Sequence, residues 1–239
     1  MANLAELEHA IQQQLEIDPT SVLLSDLYHD LGVVYYDRLN QGIAIDRVAE
    51  QAAGVVALLC AIDRRKDLDD RLLLASSLIY LTNLYEVMDQ HEYSVALYSQ
   101  ALAIHKLTFG DRHPETALSL NNMATIYRSV GNNVEAERLF KQSIDIFDEL
   151  GTSYPRAFTV LQNLVGLYIS NQKYSRAGAL LSRWLELCNA QLPIDHFQTQ
   201  QIRSALANLK KDGLYSPKSI TQKPTNPKAF GASTKKGKR

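Results

Sequence analysis

The stretch Thr116-Ala-Leu-Ser-Leu-Asn-Asn-Met-Ala-Thr-Ile-Tyr127 decides the fold, because Phe158-Thr-Val-Leu-Gln-Asn-Leu-Val-Gly-Leu-Tyr168 repeats it. The two stretches align at a shift of 41 residues, which brings Asn122 onto Asn163. A third copy ends at Tyr85, 42 residues before the tyrosine that closes the first stretch. A fixed period of this length indicates an architecture made from one repeated supersecondary unit.

Each repeat is predicted to be a pair of helices. Its second half also recurs, as Tyr98–Leu102, Phe140–Ile144 and Leu181–Leu185. Apolar residues in both halves fall three and four positions apart, which is the spacing of a helix face that packs on a core. Proline precedes or opens two of the first halves, at Pro114 and Pro155, where its missing N–H costs little.

Composition supports a helical, folded chain. The 239 residues are 46% hydrophobic and include only 11 Gly and 7 Pro, and long alternating Val/Ile/Thr runs are absent, which argues against a β-sandwich. Cys60 and Cys188 are the two cysteines, fewer than a secreted disulfide scaffold usually carries, and the N-terminus has no basic segment followed by an apolar one. We therefore expect an all-α, soluble, cytoplasmic protein without a transmembrane segment.

The most specific stretch is Ala101-Leu-Ala-Ile-His-Lys-Leu-Thr-Phe-Gly-Asp-Arg-His-Pro-Glu-Thr-Ala-Leu-Ser-Leu-Asn-Asn-Met-Ala124. It resembles the junction between tetratricopeptide repeats of the 42-residue type found in kinesin light chains and related bacterial proteins. The resemblance implies a right-handed superhelical solenoid of antiparallel helix pairs. In that family a small residue lies where the two helices of a pair cross, and Thr82, Ala124 and Val165 occupy this position here.

The repeats divide the chain into four parts. Residues 1–70 resemble degenerate repeat helices, and residues 71–192 contain three clear repeat units. Residues 193–213 are predicted to form a capping helix with a polar outer face. Residues 214–239 are predicted to be a disordered basic tail, because they hold too little apolar surface to offset the entropy of ordering them.

The resemblance also implies a function. In this family the first helices of successive units line a concave groove that holds extended or helical peptides. We therefore expect a non-enzymatic protein–protein interaction module, which would serve as a scaffold, an adaptor or an assembly factor. The predicted peptide-binding residues are Tyr80, Asn83, Asn121, Asn122, Arg128, Gln162 and Asn163.

Amides dominate this predicted groove. An Asn side chain has both a donor and an acceptor, so a row of them can clamp a peptide main chain without reading its sequence. The alternative is that Asn122 and Asn163 hydrogen-bond across the repeats and stabilise neighbouring helices. Arg128 is the only basic residue of the predicted groove, which argues against a carboxylate clamp. The acidic residues favour a neutral or basic ligand over an acidic one; they are Asp26, Asp30, Asp37 and Glu86.

Motifs of catalysis are missing from the sequence. It contains no Gly-rich phosphate loop, no Gly-x-Ser-x-Gly and no Cys-x-x-Cys. His29, Asp30 and Asp37 could be drawn as a metal or acid–base group on one helix face, but we interpret them as the polar lining of a groove, because a solenoid has such a face in any case. We predict that the protein is not an enzyme and needs no cofactor or metal.

The basic tail leaves a second function open. The tail carries a charge of +7 and no acid, while the whole chain carries −1, so residues 1–215 carry −8. The tail therefore has four candidate roles: binding nucleic acid, docking on an anionic surface, folding back on the acidic groove, or increasing solubility. Its charges are Lys218, Lys223, Lys228, Lys235, Lys236, Lys238 and Arg239.

Overall fold

The computed structural model describes residues 4–68, 70–150, 155–193 and 196–216. Ten α-helices are described in these ranges, and no strand is found in them, which confirms the all-α prediction. The predicted tail lies outside the described residues beyond Ser216. The helices are α1 (Leu4–Ile17), α2 (Leu23–Asn40), α3 (Arg47–Arg65), α4 (Arg71–Val87), α5 (His91–Phe109), α6 (Pro114–Ser129), α7 (Asn133–Leu150), α8 (Pro155–Ser170), α9 (Tyr174–Gln191) and α10 (Phe197–Lys211).

The chain forms two compact units, Met1–Leu167 and Tyr168–Arg239. In the first unit each helix packs on its neighbours in the chain from α1 to α7, and α2 also packs on α4. α2 and α4 are the first helices of adjacent pairs. These two first helices therefore lie side by side, as a stack of helix pairs requires.

Two apolar clusters form the core of the N-terminal pairs. One joins α1, α2 and α3 through Leu7, Leu24 and Ala57. The other joins α2 to α5 and includes Leu58, from α3, and Leu81, from α4, both of which are fully buried. Because each cluster takes residues from at least three helices, no single pair buries its apolar face alone.

The connection between α2 and α3, residues 41–46, is longer than those between α4 and α5 or between α6 and α7, and an ion pair closes it. The guanidinium of Arg38 binds the carboxylate of Glu50 through two hydrogen bonds of 2.7 Å each. The backbone N–H of Ile45 donates to the same carboxylate over 2.9 Å. This bidentate contact fixes residues 41–46, so the lengthened connection still returns α3 onto α2.

The start of α6 follows the predicted signal. The Nδ1 atom of His113 accepts a hydrogen bond from the Glu115 N–H over 3.2 Å, and the ring stacks on Phe109 with 5.0 Å between centroids. Pro114 then opens the helix. His113 is thus the N-cap residue of α6 and packs on the connecting loop.

The second unit is built around α9 and α10, which pack on each other. Trp184 is 1% exposed, and Tyr215 is buried next to Gly178. The hydroxyl groups of Tyr215 and Ser182 lie 3.1 Å apart. α10 exposes Arg203 among other polar residues, in agreement with the polar outer face that the sequence predicts for the last helix.

A pair of glycine variants tests the close approach of α2 and α3. A Cβ atom at Gly32 would lie 2.4 Å from Cγ of the fully buried Leu58, whereas one at Gly166 would meet nothing within 4 Å. We expect Gly32→Ala to lower the free energy of unfolding by about 1–3 kcal/mol through overpacking. Gly166→Ala should leave it unchanged or raise it by about 0.5–1 kcal/mol, because Ala is the better helix former.

Urea unfolding followed by circular dichroism measures both glycine variants. Equal stability of the two variants would contradict a tight helix crossing at Gly32.

Candidate functional site

The seven predicted peptide-binding residues lie on the first helices of three successive pairs, α4, α6 and α8. Their exposure differs along this face. Asn122, Arg128 and Gln162 are exposed, Tyr80, Asn83 and Asn163 are half-buried, and Asn121 is buried. We call this surface of α4, α6 and α8 the first-helix face.

Three asparagine side chains form a hydrogen-bonded row across the repeats. Nδ2 of Asn163 donates to Oδ1 of Asn121 over 2.9 Å, and Nδ2 of Asn121 donates to Oδ1 of Asn122 over 3.1 Å. Asn121 is only 5% exposed, so both ends of its amide are used inside the protein. We call Asn121, Asn122 and Asn163 the amide row; it links α6 to α8.

A buried tyrosine extends the amide row to α5. Side chains of Asn122 and Ser119 hydrogen-bond to the hydroxyl of Tyr98, which is 2% exposed. Burial raises the pKa of Tyr98, and the two hydrogen bonds oppose that rise. The hydroxyl therefore remains neutral and serves as a fixed anchor for Asn122.

Polar groups at the edge of the amide row remain open to solvent. Gln162 occupies in α8 the position of Asn121 in α6, yet it is exposed. Arg128 is exposed in the last turn of α6. The carboxylate of Glu86, in contrast, is hydrogen-bonded within the protein: its Oε2 accepts from the Ser129 hydroxyl over 2.9 Å.

A buried arginine organises the N-terminal end of the same surface. Arg65, on α3, is 2% exposed. Its guanidinium donates to the Leu73 carbonyl over 2.9 Å, to Oγ of Ser77 over 2.6 Å and to Oδ1 of Asp26 over 2.7 Å. α3 is thereby joined to α2 and α4, and the ion pair with Asp26 compensates the buried charge.

His29 takes its position from this network. Its Nδ1 lies 3.1 Å from Oγ of Ser77. Burial and then the charge of Arg65 lower the pKa of His29 from 6.5 to about 4, while Asp26 acts in the opposite direction. Because Ser77 accepts from Arg65, its own proton can go to Nδ1, which places the imidazole proton on Nε2.

Sequence reasoning did not find Arg65, Ser77 or Tyr36 as parts of this surface. Tyr36 stands seven residues after His29 on α2 and contacts Tyr80 edge-to-face. This seven-residue spacing places both side chains on the same face of α2, so the sequence could have shown that Tyr36 belongs to the surface. The sequence signal for Arg65 was weaker, because a charged residue at the end of a helix is usually exposed.

The described residues were also compared with what a metal site and a membrane-spanning helix need. Among the described residues, no group of three or more His, Cys, Asp or Glu side chains is arranged to hold a metal ion. The described helices also include none long and apolar enough to cross a bilayer.

The stacked helix pairs, with small residues at their crossings and a polar face on the first helices, define a helical repeat protein. The family model of the tetratricopeptide repeat matches residues 73–149. Residues 73–149 are therefore tetratricopeptide repeats, as the sequence predicts.

Similar proteins agree on the repeat. The chain is 30% identical to tetratricopeptide repeat protein 19, mitochondrial, of Rattus norvegicus over 115 residues, which are 48% of this chain and 30% of the relative. Its counterparts from Mus musculus and Homo sapiens are 29% identical over 115 residues. The match therefore spans about 30% of the length of these curated relatives.

Solved structures share the fold. A putative kinesin light chain of Podosopora anserina with nearly identical TPR-like repeats has a TM-score of 0.62 at 21% identity, covering 80% of this chain and 88% of that one. BtubC (BKLC) from P. vanneervenii has a TM-score of 0.63 at 21% identity, covering 88% of this chain and 83% of that one. The fold class is therefore the tetratricopeptide-repeat solenoid, as predicted.

The environment of His29 predicts a pH dependence of stability. The folded protein keeps this imidazole neutral down to about pH 4, whereas the unfolded chain binds a proton near pH 6.5. The stability contribution of neutral His29 is thus complete above pH 6.5 and falls as the pH is lowered. Between pH 6.5 and 5 we expect His29→Gln to remove about 1 kcal/mol of the loss seen in the wild type, allowing for partial exposure.

Urea unfolding at several pH values measures this difference. The control is His9→Gln, because His9 is exposed on α1. An identical pH slope in the wild type and in His29→Gln would refute the assignment.

Proposed function

We propose that this protein is a non-enzymatic interaction module that holds an extended segment of a partner protein along the first-helix face. Within that class it would act as a scaffold, an adaptor or an assembly factor. The supporting observation is the amide row, which fixes Asn122 at the surface from both sides, through Asn121 and Tyr98. A preorganised amide loses little side-chain entropy when it binds a ligand.

The exposed groups suit a peptide main chain. Asn122 and Gln162 each carry an amide at the surface, and Asn83 is half-buried on the neighbouring helix. Each amide has a donor and an acceptor, as each peptide unit does, so the pairing needs no particular partner sequence. Arg128 adds a cation for a carbonyl or carboxylate oxygen of the segment.

In this proposal the members of the amide row divide their roles. Asn121 is buried with both amide atoms bonded, so it acts by holding Asn122 and Asn163 in place. Asn122 and Asn163 remain the predicted ligand contacts. Asn163 makes the cross-repeat hydrogen bond of the structural interpretation, so in this proposal it would serve in both roles.

Two alanine variants separate these roles. Asn121→Ala leaves two neighbouring amides without partners, and we expect the free energy of unfolding to fall by about 1–3 kcal/mol. Asn122→Ala removes the acceptor of Asn121 Nδ2, but at an exposed position where water can replace it, so we expect a loss of less than about 1 kcal/mol, together with a five- to tenfold weaker peptide affinity. Circular dichroism melts measure the first quantity, and fluorescence polarisation measures the second.

The peptide for this test comes from selection of a random phage-displayed library on the full chain. Gln100→Ala is the matched control. Gln100 is an exposed amide on α5, which is the second helix of its pair and is not part of the first-helix face. Peptides that bind Asn122→Ala as tightly as the wild type would place the binding surface elsewhere.

The basic tail carries the second candidate function, which is binding to nucleic acid or another polyanion. Its support is a sequence observation, namely seven positive charges and no acid in residues 216–239. Such binding would come mostly from counterion release and would weaken steeply with salt.

Heparin chromatography of the full chain and of residues 1–215 distinguishes the two functions. Under the tail hypothesis we expect salt-sensitive retention of the full chain and none of the shorter one. Equal retention of both proteins would sink the tail hypothesis.

The cellular compartment stays a prediction. The sequence favours the cytoplasm, while the curated relatives are named as mitochondrial proteins. A fluorescent fusion of the full chain in its native host locates the protein directly.

A further inference from the structure

Helices α2 and α4 bring three aromatic rings together next to the first-helix face. The ring centroid of Tyr80 lies 5.3 Å from that of His29 and 5.9 Å from that of Tyr36, with interplanar angles of 83° and 76°. We call these residues the aromatic cluster. All three side chains are half-buried, so they offer ring surface to a ligand while remaining packed against the protein.

The aromatic cluster is held in one arrangement. Nδ1 of His29 is bound at Ser77, which in turn accepts from the buried Arg65. Tyr80 packs against the apolar cluster of α2 to α5. Rings fixed in this way lose little freedom on binding, which is the condition for a specific subsite.

Two carboxylates lie on the stripe of α2 next to that of the rings. Asp30 follows His29, and Asp37 follows Tyr36, so the two acids are seven positions apart and share one stripe of the helix. The charge of Asp37 contributes to raising the pKa of Tyr36, after burial, which places this carboxylate near the ring. Asp37 is half-buried and Asp30 is exposed.

The charge balance at this end is negative. Asp26 is neutralised by Arg65, and the nearby Arg38 is taken by Glu50. In the part of the chain that the structure describes, neither Asp30 nor Asp37 takes part in an ion pair. Burial and the charge of Asp26 raise the pKa of Asp30, so an added cation would stabilise its ionised form.

We propose that the aromatic cluster, together with Asp30 and Asp37, is a subsite for one lysine or arginine side chain of the partner segment. The stem of that side chain would pack on the rings of Tyr36 and Tyr80, and its charge would face the carboxylates. An acidic side chain would be repelled at the same place. This subsite rests on the proposed function, because Tyr80 and Asn83 stand on the same helix and connect it to the first-helix face.

The test uses peptides selected from a random phage-displayed library on the full chain at neutral pH. We expect the selected peptides to share a Lys or Arg. Replacing that residue with norleucine should weaken binding to the wild type about tenfold, from one cation–π contact and one partly exposed ion pair. The same replacement should cost only about two- to fourfold with Asp30→Asn/Asp37→Asn, because the charge partners are gone while the cation–π contact remains.

Two controls accompany this cycle. Asp63→Asn/Glu92→Gln removes two exposed acids on α3 and α5, and it should keep the tenfold loss if net charge is not the cause. Tyr36→Phe retains the ring and should bind as the wild type does, whereas Tyr36→Leu should weaken binding. A melting curve of each variant shows that it is folded.

The outcomes separate this subsite from the proposed function. Peptides without a shared cation, or an equal norleucine loss in the wild type and in Asp30→Asn/Asp37→Asn, would overturn the subsite. If those peptides still lose affinity with Asn122→Ala, the proposed function stands without it. Failure to select any binding peptide would count against both.

Discussion

The rest of the structure depends on the close approach of the two helices within each pair, where the first helix carries a small side chain. The approach is close at Gly32, where a methyl group would run into the buried Leu58. Thr82 and Ala124, at the same place in later pairs, are fully buried. Because this contact sets the rotation of each first helix, the residues on its outer side fall at matching positions from pair to pair. A continuous face for a ligand is a consequence of that repetition.

Polar contacts between pairs then decide which groups this face presents. Asn121 and Asn122 are neighbours in the sequence, but one is buried in the amide row and the other is exposed. At the N-terminal end Arg65 enters the interior and binds Asp26 and Ser77. Buried polar groups are costly when they lack partners, so the groups that pair with them are held in position. The exposed ends of these networks are the preorganised part of the surface.

The helices were predictable because their signals are local and repeated. Pro114 and the capping His113 mark the start of α6, and the apolar spacing within one unit is confirmed by the next. The polar networks were not predictable, because they depend on which helices face each other in three dimensions. Arg65 and Ser77 are twelve residues apart on different helices, and nothing in their local sequence pairs them. The residues at the helix crossings were predictable in part. The family resemblance located Thr82 at a crossing, but which residues it contacts became clear only from the three-dimensional structure.

Within the proposed function, the position of Arg65 affects how charge is distributed along the ligand-binding surface. The buried guanidinium neutralises Asp26 and helps to lower the pKa of His29, so the imidazole adds no positive charge at neutral pH. Asp30 therefore leaves the α2 end acidic, whereas the exposed Arg128 places a cation at the end of α6. Amides alone accept a peptide main chain in either direction, since donors and acceptors alternate along it. A charge gradient across the face breaks that symmetry, and a segment with its basic residue over α2 would bind in one direction only.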